Sequence, residues 1–172
     1  MLIARAVAEG QCSAFFFLGC SMSKPRETAI QIPLNVWQNP QGDVVVRYSL
    51  EECHIYFGCW EAAGIPAKYL CELTFHHARA VRGVRLGGAP YKINPPYLRS
   101  SILMVEASQW LQEVTALHLE YYPESKSRDK CEYLHYAVSG HDIYYDIIAT
   151  GFDERIVPEA EAGEFLRLIR EA

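Results

Sequence analysis

The chain has 172 residues, of which 50% are hydrophobic and 22% are charged, and its 21 acidic side chains outnumber 16 basic ones. This length fits one globular domain. The excess of acidic over basic side chains disfavours wholesale binding to nucleic acid. No apolar run reaches the roughly 18 residues of a membrane span. Six cysteines are too few for a disulfide scaffold at this length, so we expect reduced thiols, a cytoplasmic location, no membrane association and no cofactor.

Residues 1–21 differ from the rest of the sequence. They hold a short apolar run at 13–20 that follows a single arginine, Arg5. A signal peptide has a longer apolar core and more positive charge before it, although the end of this run loosely resembles the cleavage box of bacterial lipoproteins. We interpret 1–21 as an extension of doubtful structure, with export or a structural role as alternatives, and 22–172 as a single globular α+β domain.

Alternating apolar and polar residues predict strands over much of the chain after residue 29. In the first of these runs Pro33 confines the strand to a sheet edge or a bulge. The run 70–86 is too long for one average strand, so we expect it to break near His77 or bend at Gly83. The predicted strands occupy residues 30–34, 44–48, 52–57, 70–86 and 101–105, and Gly and Pro residues predict a loop at 60–69.

A helix is predicted at about 108–120. Ser108 suits its N-cap, because the hydroxyl can accept a backbone amide of the first turn. An apolar stripe at helical spacing follows, formed by Trp110, Leu111, Val114 and Leu117.

Residues 132–151 predict a tight β-hairpin, because runs rich in Tyr, Ile and Val flank a short polar turn. Gly140 at the first position of a two-residue loop fits a type II′ turn. A loop at Gly140-His141 keeps one face apolar, whereas a three-residue loop would mix the faces. This register sets His135 directly opposite Asp146. The predicted apolar face holds Leu134, Tyr136, Val138, Ile143, Tyr145 and Ile147.

Pro158 favours the start of a second helix at about 158–170. Strands that are adjacent in sequence, without strand–helix–strand alternation, predict an α+β fold. We expect a mainly antiparallel sheet of about seven or eight strands with the two helices on one side.

His135 and Asp146 are the candidate catalytic residues, because a carboxylate that orients an imidazole is half of a general-base arrangement. His141 and Asp142 at the turn could join them. The sequence offers neither a Gly-x-Ser-x-Gly elbow nor a glycine-rich phosphate loop. The alternative, which we favour, is a structural cross-strand pair that contributes roughly 0.2–1 kcal/mol.

A basic segment lies between Leu73 and Val105, where no Asp or Glu occurs. Its guanidinium groups suit phosphate, carboxylate or an acidic partner surface, although Arg79 and Arg85 differ in strand parity from Arg82. The alternative, which we favour, is a solvated edge strand whose charges prevent pairing with other chains. The candidate ligand-binding residues are Arg79, Arg82, Arg85, Lys92, Arg99, Tyr91 and Tyr97.

A cluster of Cys and His residues raises the question of zinc binding, because these residues are the usual ligands of zinc. The spacing of the candidates matches no common finger or ribbon, and lone cysteines on apolar strand faces are usually small core residues. We therefore predict no metal. The candidates are Cys53, Cys59, Cys71, His76 and His77.

These patterns favour a non-enzymatic binding or interaction module whose partner is unknown, either an anionic small molecule or a protein. Eleven tyrosines support this interpretation, because tyrosine is common at recognition surfaces. The alternative is a small hydrolase-like enzyme that acts on an anionic substrate through His135 and Asp146, so the sequence leaves open whether the protein is an enzyme. The tyrosines that could contribute are Tyr56, Tyr91, Tyr97, Tyr121, Tyr122 and Tyr144.

Overall fold

The computed structural model describes residues 27–85, 90–95, 97–125, 131–158 and 160–163, so the predicted extension 1–21 lies outside the described residues. Within these ranges the chain forms ten strands and a helix of 13 residues. Residues 160–163 are also helical. The elements are β1 Thr28–Pro33, β2 Val44–Tyr48, β3 Glu52–Ala62, β4 Ile65–His76, β5 Ala80–Arg85, β6 Lys92–Ile93, β7 Ser101–Val105, α1 Gln109–Tyr121, β8 Leu134–Ser139, β9 Ile143–Ala149 and β10 Gly151–Pro158.

The described strands form two sheets. A six-stranded sheet has the order β5-β9-β8-β7-β1-β6, and a four-stranded sheet has the order β10-β4-β3-β2. Their pairs are antiparallel except for β1 with β6, which run parallel. The predicted α+β class and the mainly antiparallel pairing are confirmed. The ten described strands exceed the expected seven or eight because β6 and β10 were not predicted.

The main core brings together apolar side chains from both sheets. Successive residues of a strand point to opposite faces, and alternate residues of β3, β4, β8 and β9 face this core. Phe75 of β4 is fully buried there, 5.5 Å from the ring of Tyr136 and 5.6 Å from that of Phe152. Further core residues include Ile55, Phe57, Leu73, Ile102, Val138 and Ile147.

The predicted loop at 60–69 is wrong. β3 and β4 continue through most of it and are joined by a turn that contains Gly64, whose φ of +75° lies in the left-handed region that glycine adopts readily. Pro66 pairs with Trp60, beside register shifts in the β3–β4 ladder. A proline, which lacks an amide hydrogen, is tolerated where strand pairing is irregular. Gly64 and Pro66 therefore do not interrupt the strands.

The predicted break near His77 is confirmed. Residues 77–79 separate β4, in the four-stranded sheet, from β5, in the six-stranded sheet. His77 has a φ of +49°, a left-handed conformation that histidine adopts more often than most residues. We call residues 77–79 the crossover.

Helix α1 confirms the prediction for about 108–120. The Ser108 hydroxyl accepts a hydrogen bond from the Leu111 amide at 3.0 Å, which caps the first turn. The predicted stripe is correct for Trp110, Leu111 and Val114, which are half-buried, but wrong for Leu117, which is 55% exposed. In the described ranges, no helix combines the length and apolarity required to cross a membrane.

The second predicted helix is shifted at its start. Pro158 closes β10 instead of opening the helix, and helical residues begin at 160. β10 is an edge strand of its sheet, where a residue without an amide donor is tolerated. The remainder of the predicted helix, 164–170, lies outside the described residues.

The predicted hairpin is present as β8 and β9, but its register differs by two residues. Gly140 N donates to Ile143 O at 2.7 Å, so the loop is His141-Asp142 and not Gly140-His141. Gly140 does not have a left-handed φ, so the predicted type II′ turn is wrong. A Cβ at Gly140 would lie 3.0 Å from Ile143 Cγ2 and 3.1 Å from Val44 Cγ2, so close packing against β2 favours glycine there.

A shift of two residues leaves every side chain on its predicted face. Tyr136 and Ile147 face the main core as expected. On the other face, His135 pairs with Ile148 and Asp146 pairs with Ala137. The histidine and the carboxylate are therefore diagonal neighbours, not directly opposite as predicted.

Candidate functional site

His135 and Asp146 meet within a buried network on the face of the six-stranded sheet that points away from the main core. His135 Nε2 lies 3.3 Å from Asp146 Oδ1. Three segments remote in sequence supply the other members of this buried network: Tyr91 and Ser108, which are buried, and Arg82, whose side chain is 41% exposed.

Both oxygens of the Asp146 carboxylate are occupied. Tyr91 donates its hydroxyl hydrogen to Oδ1 at 2.7 Å, and Arg82 Nε donates to Oδ2 at 2.8 Å. Arg82 reaches the carboxylate because it pairs with Asp146 across β5 and β9. Its guanidinium also lies 4.2 Å from the centre of the Trp110 ring, at the first turn of α1.

His135 links this carboxylate to the helix. Its Nδ1 lies 2.7 Å from Ser108 Oγ, and the Trp110 ring meets it edge-on at 5.0 Å. With the proton on Nε2, the imidazole donates to the Tyr91 hydroxyl oxygen at 3.3 Å, beside Asp146 Oδ1. Its Nδ1 then accepts a hydrogen bond from the Ser108 hydroxyl, whose oxygen accepts one from the Leu111 amide. No buried side-chain nitrogen or oxygen in the described part of the chain lacks a partner.

Burial and hydrogen bonding oppose each other at Asp146. Burial alone would raise its pKa, but hydrogen bonds from His135, Tyr91 and Arg82 outweigh burial and hold the pKa below its usual range. Burial and the adjacent carboxylate raise the pKa of Tyr91. The buried network therefore contains an Arg82–Asp146 ion pair and a neutral phenol.

The row of serine, imidazole and carboxylate has the residue types of a nucleophilic triad. Ser108, His135 and Asp146 are only 3%, 1% and 2% exposed, however. The Ser108 hydroxyl also caps α1. It contacts Nδ1 of the His135 ring, whereas the Asp146 carboxylate contacts Nε2 of the same ring. In this conformation the buried network can hold α1 against the sheet, but it does not present a reactive atom to a substrate.

We expect this network to make stability sensitive to acid. A carboxyl group whose folded pKa is depressed stabilises the fold above its unfolded pKa, and this contribution disappears as the pH falls through the folded value. Asp146 has such a depressed pKa. The free energy of unfolding, measured in urea, should therefore change little above about pH 5 and fall below about pH 4.

The variant Asp146→Asn should be less stable at neutral pH and should lose less stability between about pH 5 and pH 2 than the wild type. Asp142→Asn removes an exposed carboxylate from the same hairpin and serves as the control. An equal flattening of the acid slope in both variants would contradict the assignment to Asp146.

The predicted basic residues do not form one surface. Arg82 and Tyr91 belong to the buried network, whereas Arg79 lies over the Tyr133 ring and Arg99 over the Trp37 ring, each at 3.8 Å. Arg82 and Arg99 are nevertheless exposed, as are the remaining members of the predicted set: Arg85, Lys92 and Tyr97.

The cysteine and histidine candidates are also divided. Cys53, Cys59 and Cys71 lie in the main core, where burial raises the pKa of Cys53 and Cys59 to about 12. His76 lies on the opposite face of its strand, 2.9 Å from Asp153. Over the described ranges, no three His, Cys, Asp or Glu side chains are grouped to hold a metal ion.

A second polar network, which the sequence analysis missed, lies on the outer face of the four-stranded sheet around Glu72. This carboxylate accepts from Tyr56 at 2.6 Å and from Arg155 at 2.8 Å, and lies 3.0 Å from His54 Nδ1. Burial would raise the pKa of Glu72, but these hydrogen bonds hold it below its usual range. Its partners come from β3 and β10, the two strands that flank β4, so this carboxylate links three strands of the sheet.

An open groove of about 590 Å³ lies between the end of α1 and the crossover. We call it the aromatic groove, because five of its lining residues have aromatic side chains. Tyr121 and Tyr122 at the helix end are 71% and 63% exposed, and the Tyr121-Tyr122 pair was the sequence signal for this surface. The five rings are His77, His118, Tyr121, Tyr122 and Tyr133.

Comparison with known proteins found no matching family model, no matching curated protein and no matching solved structure. Function is therefore argued from the geometry of the sites themselves.

Proposed function

We propose that the protein is a non-enzymatic binding module whose aromatic groove holds a small molecule with an aromatic ring. The size of the groove is the observation that supports this most. Its volume of about 590 Å³ falls within the roughly 300–1,000 Å³ of typical small-molecule sites.

The lining chemistry favours a planar and nearly neutral ligand. Aromatic side chains prefer offset-stacked or edge-to-face contact with other rings. Arg79 is held flat over Tyr133, and a stacked guanidinium adds a planar surface that suits heteroaromatic rings. Because Glu51 and Glu124 also line the groove with Arg79, the lining does not select strongly for an anion.

The exposed apolar side chains at this end also support binding. Leu50, at the turn between β2 and β3, is 98% exposed and lines the groove with Tyr121 and Tyr122. Adjacent exposed hydrophobic residues commonly mark recognition surfaces. We place the protein in the cytoplasm, where free thiols such as those of Cys53, Cys59 and Cys71 remain reduced.

The hydrolase-like alternative through His135 and Asp146 stays a prediction. It requires a conformation in which α1 moves away from the sheet, because Ser108 and Trp110 cover the imidazole in the structure. No feature of the buried network favours that movement, so binding in the aromatic groove is the better-supported function.

Ligand-observed NMR with indole as the probe tests the proposal. We expect saturable binding to the wild-type protein and binding about 2- to 12-fold weaker to Tyr121→Ala, because an aromatic contact contributes roughly 0.5–1.5 kcal/mol. Cyclohexanol, which is not aromatic, should bind more weakly than indole to the wild type.

Tyr97→Ala is the matched control, because Tyr97 is also 71% exposed and does not line the groove. Its affinity for indole should equal that of the wild type. Absence of saturable indole binding, or an equal loss of affinity in Tyr121→Ala and Tyr97→Ala, would overturn the proposal.

A further inference from the structure

We propose a second binding site, separate from the aromatic groove: a small polar cavity beside the β8–β9 turn that takes a phosphate group. The cavity has a volume of about 230 Å³ and is lined by Arg99, Ser100, Ser139 and Tyr144, among others. It shares no lining residue with the aromatic groove.

Arg99 supplies the positive charge. Its guanidinium lies 3.8 Å above the centre of the Trp37 ring, and Trp37 is itself held edge-on against Trp60 at 5.3 Å. Stacking uses the face of the guanidinium and leaves its N–H edge available for the two parallel hydrogen bonds that phosphate oxygens accept. No carboxylate of the described residues forms an ion pair with Arg99.

Two other segments line the same cavity with hydroxyl-bearing residues, Ser139 and Tyr144. Ser139 and Tyr144 are directly paired across β8 and β9, and neither hydroxyl has a hydrogen-bond partner among the residues that the structure describes. Burial raises the pKa of Tyr144, so its phenol remains a donor. Ser100 Oγ accepts a hydrogen bond from the backbone amide of Gln38 at 3.1 Å. The hydroxyl hydrogen of Ser100 is therefore free to donate to a ligand.

The charge and size of the cavity select the ligand. The cavity lining contains no acidic residue, which removes the main repulsion that an anion would meet. Its volume is below the roughly 300 Å³ at the lower limit of typical small-molecule sites. The cavity therefore suits the phosphate group itself, either free or at the end of a small phosphomonoester, with the rest of an ester outside.

Titration of the ¹⁵N-labelled protein with inorganic phosphate, at constant ionic strength, tests this site. We expect saturable shifts of backbone amides at 99–101 and 139–144, and at least tenfold weaker binding in Arg99→Gln, because hydrogen bonds to charged groups are the strong ones. Arg85→Gln removes an exposed arginine from β5 and should bind phosphate as the wild type does.

Two further probes identify the source of the phosphate and exclude non-specific attraction. Tighter binding of glycerol 3-phosphate than of inorganic phosphate assigns the site to phosphomonoesters, whereas the reverse order assigns it to free phosphate. Three outcomes would overturn the proposal: no saturable shifts, equal weakening in Arg99→Gln and Arg85→Gln, or binding of acetate as tight as that of phosphate.

Discussion

Replacing His135 by alanine is expected to lower the free energy of unfolding by about 3–5 kcal/mol. The imidazole is fully buried and contacts the rings of Trp110 and Tyr91. Its removal would leave a cavity under α1 and deprive both the Ser108 hydroxyl and the Asp146 carboxylate of a partner. Urea unfolding gives the free energy, and thermal unfolding should show a midpoint lower by about 6–20 °C for a chain of this size.

His141→Ala is the matched control, because this histidine lies at the hairpin turn with its side chain 52% exposed. It should change stability by less than about 0.5 kcal/mol. The same pair of variants separates the two functional hypotheses. If His135→Ala retained its stability and lost a catalytic activity, the imidazole would be catalytic and the structural interpretation of the buried network would be wrong.

Phe75→Ala is expected to destabilise the protein by about 3–5 kcal/mol. Phe75 is fully buried in β4 and contacts the rings of Tyr136 on β8 and Phe152 on β10, which also contact each other. Its side chain therefore contributes to packing both within the four-stranded sheet and between the two sheets. Loss of the ring removes apolar contacts and leaves a cavity that strands paired on both sides cannot easily close.

The conservative variant Phe75→Leu keeps most of the volume and should cost less than about 1.5 kcal/mol. Denaturant unfolding of both variants measures the difference. A loss below about 1 kcal/mol in Phe75→Ala would show that the contact between the sheets at this position contributes little.

The faces of the β8–β9 hairpin could be predicted from sequence, but its register could not. Alternation of apolar and polar residues determines which side chains share a face, and a shift of two residues preserves that assignment. At the turn, Gly140 approaches Val44 of β2 so closely that a Cβ would lie 3.1 Å from Val44 Cγ2. That contact joins residues remote in sequence, so no local pattern reports it.

Contacts between residues remote in sequence also limited what could be predicted of the candidate site. The proximity of His135 and Asp146 could be predicted, because both lie on the polar face of one hairpin. Arg82, Tyr91 and Ser108 complete the network from β5, the residue before β6 and the start of α1. The sequence predicts Ser108 as a cap and Arg82 as a ligand-binding residue, but no local pattern shows that Ser108 contacts His135 while Arg82 contacts Asp146.

Helix α1 is anchored at one end and lines the proposed ligand site at the other. Ser108 and Trp110 at the first turn contact the buried network, whereas Tyr121 and Tyr122, beyond three further turns, remain mostly exposed. Substitutions at the exposed end of this helix should therefore change the free energy of folding little. Relatives that keep the anchored turn could diverge in what they bind while retaining the same architecture.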